Sequence, residues 1–264
     1  MSAPNPFDQQ KPIPGVKSVI AVSSGKGGVG KSTVSCNLAI SLAQEGFKVG
    51  LLDADIYGPS LPRMMGAINQ KPEISKNNHI LPIERHGIKI MSMGFLVEED
   101  TAVAWRGPML FKAMNQLFFE VEWGELDYLL IDLPPGTGDV QLSMVQKVPV
   151  TGALSICTPQ NIALADVKKS IDMFERVQVP LLGVIENMSY IPHPEKEGEK
   201  IQIFPKGDLY SYLDSKKMKL LAEIPMMQEI AMASEMGIPY TAQKSEDPVS
   251  NAYKMMAKNI TNLV

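Results

Sequence analysis

The sequence has little cysteine: Cys36 and Cys157 are the only two among 264 residues. That excludes a disulfide-stapled scaffold, and in a reducing compartment it leaves two free thiols. Basic clusters are also lacking. Lys and Arg number 25 against 29 Asp and Glu, for a formal charge of -4. Without a basic footprint a chain cannot displace counterions from nucleic acid, so no nucleic-acid partner is expected. No apolar run approaches the roughly 18 to 20 residues that a membrane-spanning helix needs, so no membrane partner is expected. Residues Met1 to Pro14 are polar and rich in proline, unlike a secretory signal. These absences together predict a cytoplasmic protein.

What is present is an ordinary globular composition, with 45% hydrophobic residues. Residues 1–16 read as a flexible leader ending at Pro14-Gly15, too short for an additional N-terminal domain. Residues 17–264 read as a single large domain, because apolar runs of strand length alternate with segments of helical period. Strands are expected at Val16 to Val22, Phe47 to Leu52, Ile88 to Met93, Tyr128 to Ile131, Ala153 to Cys157, Leu181 to Ile185 and Leu220 to Ile224. Helical spacing falls between them, as with Val34, Leu38 and Leu42 before Gly46. Pro108 to Val121, Val140 to Gln146, Ile162 to Arg176, Met227 to Met236 and Val249 to Leu263 are the other expected helices; Glu195 to Lys200 reads as a polar loop. Such alternation predicts an α/β, doubly wound, mostly parallel sheet with helices on both faces. Binding sites in these folds lie at the carboxyl ends of the strands. Asp53, Asp132, Cys157, Asn187 and the loop from Gly25 all fall there.

The segment Gly25-Lys26-Gly27-Gly28-Val29-Gly30-Lys31-Ser32 fits G-x-x-x-x-G-K-[ST] between a strand and a helix. Glycines let the backbone wrap a phosphate chain, and amides at the helix start point at the anion. Lys31 supplies a point charge to the β and γ phosphates, and Ser32 offers a hydroxyl to Mg²⁺. The expected ligands are therefore ATP or ADP and Mg²⁺.

Asp132 ends the apolar strand Tyr128 to Ile131, the position of a metal-supporting carboxylate in such enzymes. Gly136 follows in D-L-P-P-G and can turn its N–H toward a γ-phosphate. Asp53 and Asp55 flank Ala54 just past the second strand. A carboxylate there holds Mg²⁺ through water or orients the attacking water.

Lys26, the second lysine in the loop, makes K-G-G-V-G-K-S, which resembles the deviant phosphate loop of the MinD/ParA/nitrogenase-iron-protein class. The resemblance implies a homodimer with ATP at the interface, Lys26 reaching the partner's nucleotide. It assigns Asp55 to the attacking water and Asp53 to the metal's surroundings. The combination of Gly25 to Thr33, Asp53 to Ser60, Arg106-Gly107-Pro108, Asp132 to Asp139, Glu186-Asn187-Met188-Ser189-Tyr190 and Glu223-Ile224-Pro225 is similar to the Mrp/ApbC family, from about Val16 to the C-terminus. That family comprises P-loop ATPases described as carriers or scaffolds for iron–sulfur clusters. The resemblance implies that Asn187 hydrogen-bonds the adenine, that the backbone near Pro225 closes the base pocket, and that partners are Fe–S apoproteins or assembly factors. It departs in one place. Members usually carry C-x-x-C shortly after E-N-M-S-Y, to hold a cluster between subunits. Here the stretch is Ile191-Pro192-His193-Pro194-Glu195-Lys196, without cysteine. A ParA/MinD-like nucleotide switch that recruits partners without a cluster is the alternative expectation.

Seventeen methionines are most simply core filling. The last helix is amphipathic but carries Lys254 and Lys258 in an acidic chain, weak grounds for a membrane grip. Trp105-Arg106-Gly107, after Glu98-Glu99-Asp100, is placed at the dimer interface by position alone.

Overall fold

The structure is a computed structural model, and it describes residues 10–56, 58–96, 107–136, 138–196, 198–205 and 207–264. Tyr57, Thr137 and the expected interface segment at 97–106 lie outside the described residues.

Apolar strands of four to nine residues form the centre, buried on both faces except for the half-buried four-residue strand at one edge. These are β1 (Val16–Ser24), β2 (Val49–Asp53), β4 (Ile88–Ser92), β5 (Leu126–Asp132), β6 (Gly152–Cys157), β7 (Leu181–Glu186) and β10 (Leu220–Glu223), with β3 (Ile83–Arg85) at one edge. Their order is β10-β7-β6-β1-β5-β2-β4-β3, and only the β3–β4 pairing is antiparallel. The doubly wound sheet expected from the alternation is what the chain adopts. Runs such as Val19 to Val22 are under 5% exposed, as a parallel sheet covered on both faces requires. A separate two-stranded hairpin, β8 (Ile191–Pro192) with β9 (Lys200–Ile201), stands outside the main sheet.

Nine α-helices are described: α1 (Lys31–Gln44), α2 (Leu61–Met64), α3 (Gly107–Asn115), α4 (Asp139–Val145), α5 (Asn161–Arg176), α6 (Leu209–Lys216), α7 (Gln228–Glu235), α8 (Tyr240–Gln243) and α9 (Pro248–Thr261). The helix expected over Pro108 to Val121 instead ends at Asn115 and continues as a π-helical stretch over Gln116–Glu120. Helix α9 buries Val249, Tyr253, Met256, Ala257 and Ile260, and it packs on α1. Its apolar face is thus spent on the core, although Met255 stays exposed. The end of the expected leader is bound to the body: the Lys11 N–H donates to the Lys147 carbonyl, and Ile13 is buried. No described helix is long and apolar enough to cross a membrane.

Register brings acidic residues together at the strand tips. Asp53 of β2 pairs with Asp132 of β5, and Glu186 of β7 pairs with Glu223 of β10. All four lie at the end of the sheet from which the loop after β1 emerges.

Candidate functional site

The loop between β1 and α1 is shaped by two left-handed glycines, Gly28 at φ 77° and Gly30 at φ 78°. A side chain at Gly30 would also collide with Asn187, whose Nδ2 lies 2.2 Å from where a Cβ would stand. Beside the loop is a cleft of about 280 Å³ lined by Lys26 through Thr33, with Asp55, Ser60 and Pro135 opposite. Every residue expected to cradle phosphate from Lys26 onward lines this one space. Gly25 sits behind it, so close to α5 that a Cβ would fall 2.2 Å from that of Asp166.

Lys31 and Asp132 are both buried, and the Lys31 ammonium lies 2.8 Å from the Asp132 carboxylate. Ser32 Oγ donates to the same oxygen at 2.5 Å, and Ser35 Oγ donates to the other at 2.7 Å. Asp132 is therefore the hub that orients the first turn of α1. A charge buried this deeply is tolerated because it is paired and hydrogen-bonded. The Ser32 hydroxyl, with its proton given to Asp132, turns lone pairs toward any cation in the cleft.

Asp53 is fully buried behind the cleft. One oxygen accepts from the Asp55 N–H at 3.0 Å; the other accepts from the N–H groups of Ser60 and Leu61 and from Ser92 Oγ, each at 3.1 Å. Its carboxylate thus fixes the backbone at Asp55, Ser60 and Leu61, beside the cleft. Burial pushes the Asp53 carboxyl up to about 7, with the nearby Asp132 charge adding to the rise. Backbone N–H donors and Lys31 oppose the rise without cancelling it. Asp55 lines the cleft itself and accepts from the Gly58 N–H at 3.3 Å.

The remaining expected residues fall on two sides of the loop. The Gly136 N–H donates to the Ser24 carbonyl at 3.0 Å, and Pro135 forms a wall of the cleft. Asn187 is 6% exposed; its backbone N–H donates to the Cys157 carbonyl and its Nδ2 to the Val29 carbonyl at 2.8 Å. The carboxamide is thereby clamped to the phosphate loop. Pro225 lines a different, mostly apolar cavity of about 400 Å³ with Tyr190, Met227, Tyr240 and Val249. The thiols of Cys36 and Cys157 are both buried and unpaired. Among the described residues no group of His, Cys, Asp and Glu is arranged to hold a metal ion by itself.

Ser35 and Ser92 are functional neighbours that motif reading passes over. Ser35 was legible, since it follows Lys31 by four residues and Ser32 by three, on one helix face. Ser92 was not, because its partner depends on β4 lying next to β2.

The sequence and fold recur in known proteins. A family model described as the NUBPL iron-transfer P-loop NTPase, in ParA, matches residues 15–261. The iron-sulfur cluster carrier protein of Aquifex aeolicus is 47% identical over 260 residues, which are 98% of this chain and 71% of the relative. The mouse iron-sulfur cluster transfer protein NUBPL is 45% identical over 254 residues, 96% of this chain and 79% of its own. Among solved structures, a nucleotide-binding protein from Archaeoglobus fulgidus in complex with ADP superposes with a TM-score of 0.76 at 37% identity, covering 91% of this chain and 93% of that one. A phosphate loop built on Lys31, Ser32 and Asp132 in a parallel sheet, matched along nearly the whole chain, places this protein in the NUBPL iron-transfer P-loop NTPase family of ParA.

Proposed function

We propose that this chain is a cytoplasmic, magnesium-dependent ATPase with slow turnover that serves iron–sulfur cluster transfer as a homodimer. The carrying observation is the convergence of Lys31, Ser32 and Asp132 on a glycine loop whose cleft is also lined by Lys26 and Asp55. Loop amides and Lys31 bind the phosphates. The donor set is all oxygen: Ser32, whose hydroxyl proton is engaged by Asp132, backed by the carboxylates of Asp132 and Asp53. That is the chemistry Mg²⁺ takes, with Ser32 the direct ligand and the carboxylates acting through water. Bound Mg²⁺ would neutralise phosphate charge. Asp55 orients the attacking water. Gly136 exchanges its Ser24 carbonyl for a γ-phosphate oxygen, giving the chain a hydrolysis-sensitive segment. Lys26 supplies its charge to the nucleotide of the partner subunit. Asn187, with Nδ2 committed to Val29, offers its carbonyl oxygen to an adenine amino group. The apolar cavity beside Pro225 suits the flat face of a base.

Titration with ADP and ATP in the presence of magnesium tests this reading directly. Micromolar affinity is expected, and no detectable affinity for either would end it.

The cluster is cargo. In favour of it stand the names of relatives at 45–47% identity. In favour of a second reading, a nucleotide-switched dimer that recruits partners without a cluster, stands the cysteine-free stretch Ile191 to Lys196 with both thiols buried elsewhere. Anaerobic reconstitution with iron and sulfide separates the two. Brown protein with a visible charge-transfer band supports cluster carriage, and colourless protein supports the second reading.

A further inference from the structure

At the end of the sheet opposite the phosphate loop, β2 and β5 begin and β3 turns into β4. A cleft of about 520 Å³ opens there, and Lys48, Glu84, Arg85, His86, Lys89 and Glu125 supply its ionisable lining. Its walls are fixed. His86 (φ 49°) and Gly87 (φ 80°) form a tight left-handed turn, the backbone that a two-residue hairpin connection requires. The turn is docked by the His86 ring, whose Nε2 lies 3.1 Å from the Gly237 carbonyl. The Lys89 ammonium is anchored by donating to the Trp123 carbonyl at 2.7 Å.

The charges lining this cleft are poorly compensated. Arg85 and Lys89 are half-buried, and neither forms an ion pair among the described residues. The Arg85 Nε–H is buried with no hydrogen-bond acceptor. Glu84 stands opposite Lys89 in register yet points its carboxylate into solvent, where it is exposed. A buried donor left unmade and cations held away from water without a counter-ion are both unfavourable. A guanidinium is matched in shape by a carboxylate or phosphate group.

We propose that this cleft binds a small polyanion carrying phosphate or carboxylate groups. Arg85 and Lys89 grip it, and Lys48 stands at the rim. Glu84 and Glu125 set an upper limit on affinity, since three cations against two carboxylates leave one net positive charge. The site is remote from the nucleotide and does not depend on ATP binding.

The test is an amide NMR titration of the full chain with magnesium ADP present to occupy the phosphate loop. Sodium phosphate, disodium succinate and, at matched ionic strength, sodium chloride are added separately. Saturable shifts at His86, Gly87 and Ile88 are expected with phosphate or succinate and not with chloride. A response to phosphate alone identifies a phosphoryl ligand; one to succinate alone identifies a carboxylate ligand. Arg85→Gln should weaken binding by about tenfold, and Glu84→Gln should strengthen it about twofold. Should Arg85→Gln fail to fold, the exposed Lys48→Gln should weaken binding about threefold. No saturable shift with either anion, an equal response to chloride, or unchanged affinity in the cation variant overturns the proposal.

Discussion

Two pairs of carboxylates stand at the same end of one sheet, each pair in register on neighbouring parallel strands, and their surroundings give them different work. Asp132 meets Lys31, Ser32 and Ser35, groups of the phosphate loop and its helix, while its neighbour Asp53 accepts from the N–H groups of Asp55, Ser60 and Leu61 and from Ser92 Oγ. Glu186 and Glu223 meet Ser189 at 2.5 Å, Tyr210 at 2.5 Å and Lys200 at 2.6 Å, groups from the base of the β8–β9 hairpin, from α6 and from β9. The Tyr210 phenol is pushed far above its usual range by burial first and by its hydrogen bond to Glu223 second. It therefore remains a donor at any physiological pH. Acidic strand tips alone do not mark a nucleotide site. What marks it is that Lys31 and Ser32, the partners of Asp132, line the glycine-loop cleft, whereas Ser189, Tyr210 and Lys200 do not.

Breaking the first pair should have the largest effect. Lys31→Ala removes the phosphate's point charge, and ADP affinity should fall by about a hundredfold or more in calorimetry. Retention of affinity within a few-fold would remove Lys31 from the site. Next in size are Lys26 and Asp55, which both line the cleft. Asp55→Ala and Lys26→Ala should each lower steady-state phosphate release by about tenfold or more while ADP affinity changes by less than about threefold. If Lys26→Ala hydrolyses ATP at the normal rate, the cross-dimer role assigned to that lysine is wrong.

The nucleotide half of the site was legible because it is local. Gly25 to Ser32 is a continuous motif, and Asp132 closes an unmistakable apolar strand. The rest depends on distant partners. Ser92 reaches Asp53 only because β4 lies beside β2, and β4 and β2 are neighbours through a sheet order that no short window encodes. Helix α6 went unread because its apolar face consists of little more than Leu209 and Leu213 in a polar stretch. With α6 went Tyr210 and the closure of the second carboxylate pair. The β3 strand was missed because three residues, Ile83 to Arg85, carry too short an alternation to register.

The raised Asp53 carboxyl distinguishes the pairs in another way. Its folded-state value is about 7 against an ordinary 3.8. Below pH 4 the group is protonated in both states, and its stabilising contribution is full. As pH rises toward 7 the unfolded chain releases the proton first, so stability is lost progressively and the loss is complete above 7. In nucleotide-free protein, the urea-denaturation stability of wild type relative to Asp53→Asn should decline by about 2 to 3 kcal/mol between pH 5 and pH 8. Parallel pH profiles would mean that the buried carboxylate is solvated or paired in solution.

The smallest effect bears most directly on the contrast. Tyr210→Phe deletes one hydroxyl, leaving Glu223 with Lys200 and Glu186 with Ser189. A hydrogen bond to a charged acceptor contributes about 1.5 to 3 kcal/mol, so urea denaturation should register a loss in that range. ADP affinity should stay within about twofold of wild type, because no atom of the Glu186–Glu223 cluster lines the phosphate cleft. Were affinity to fall with stability unchanged, the two carboxylate pairs would be parts of one site, and the edge strands would share in holding the nucleotide.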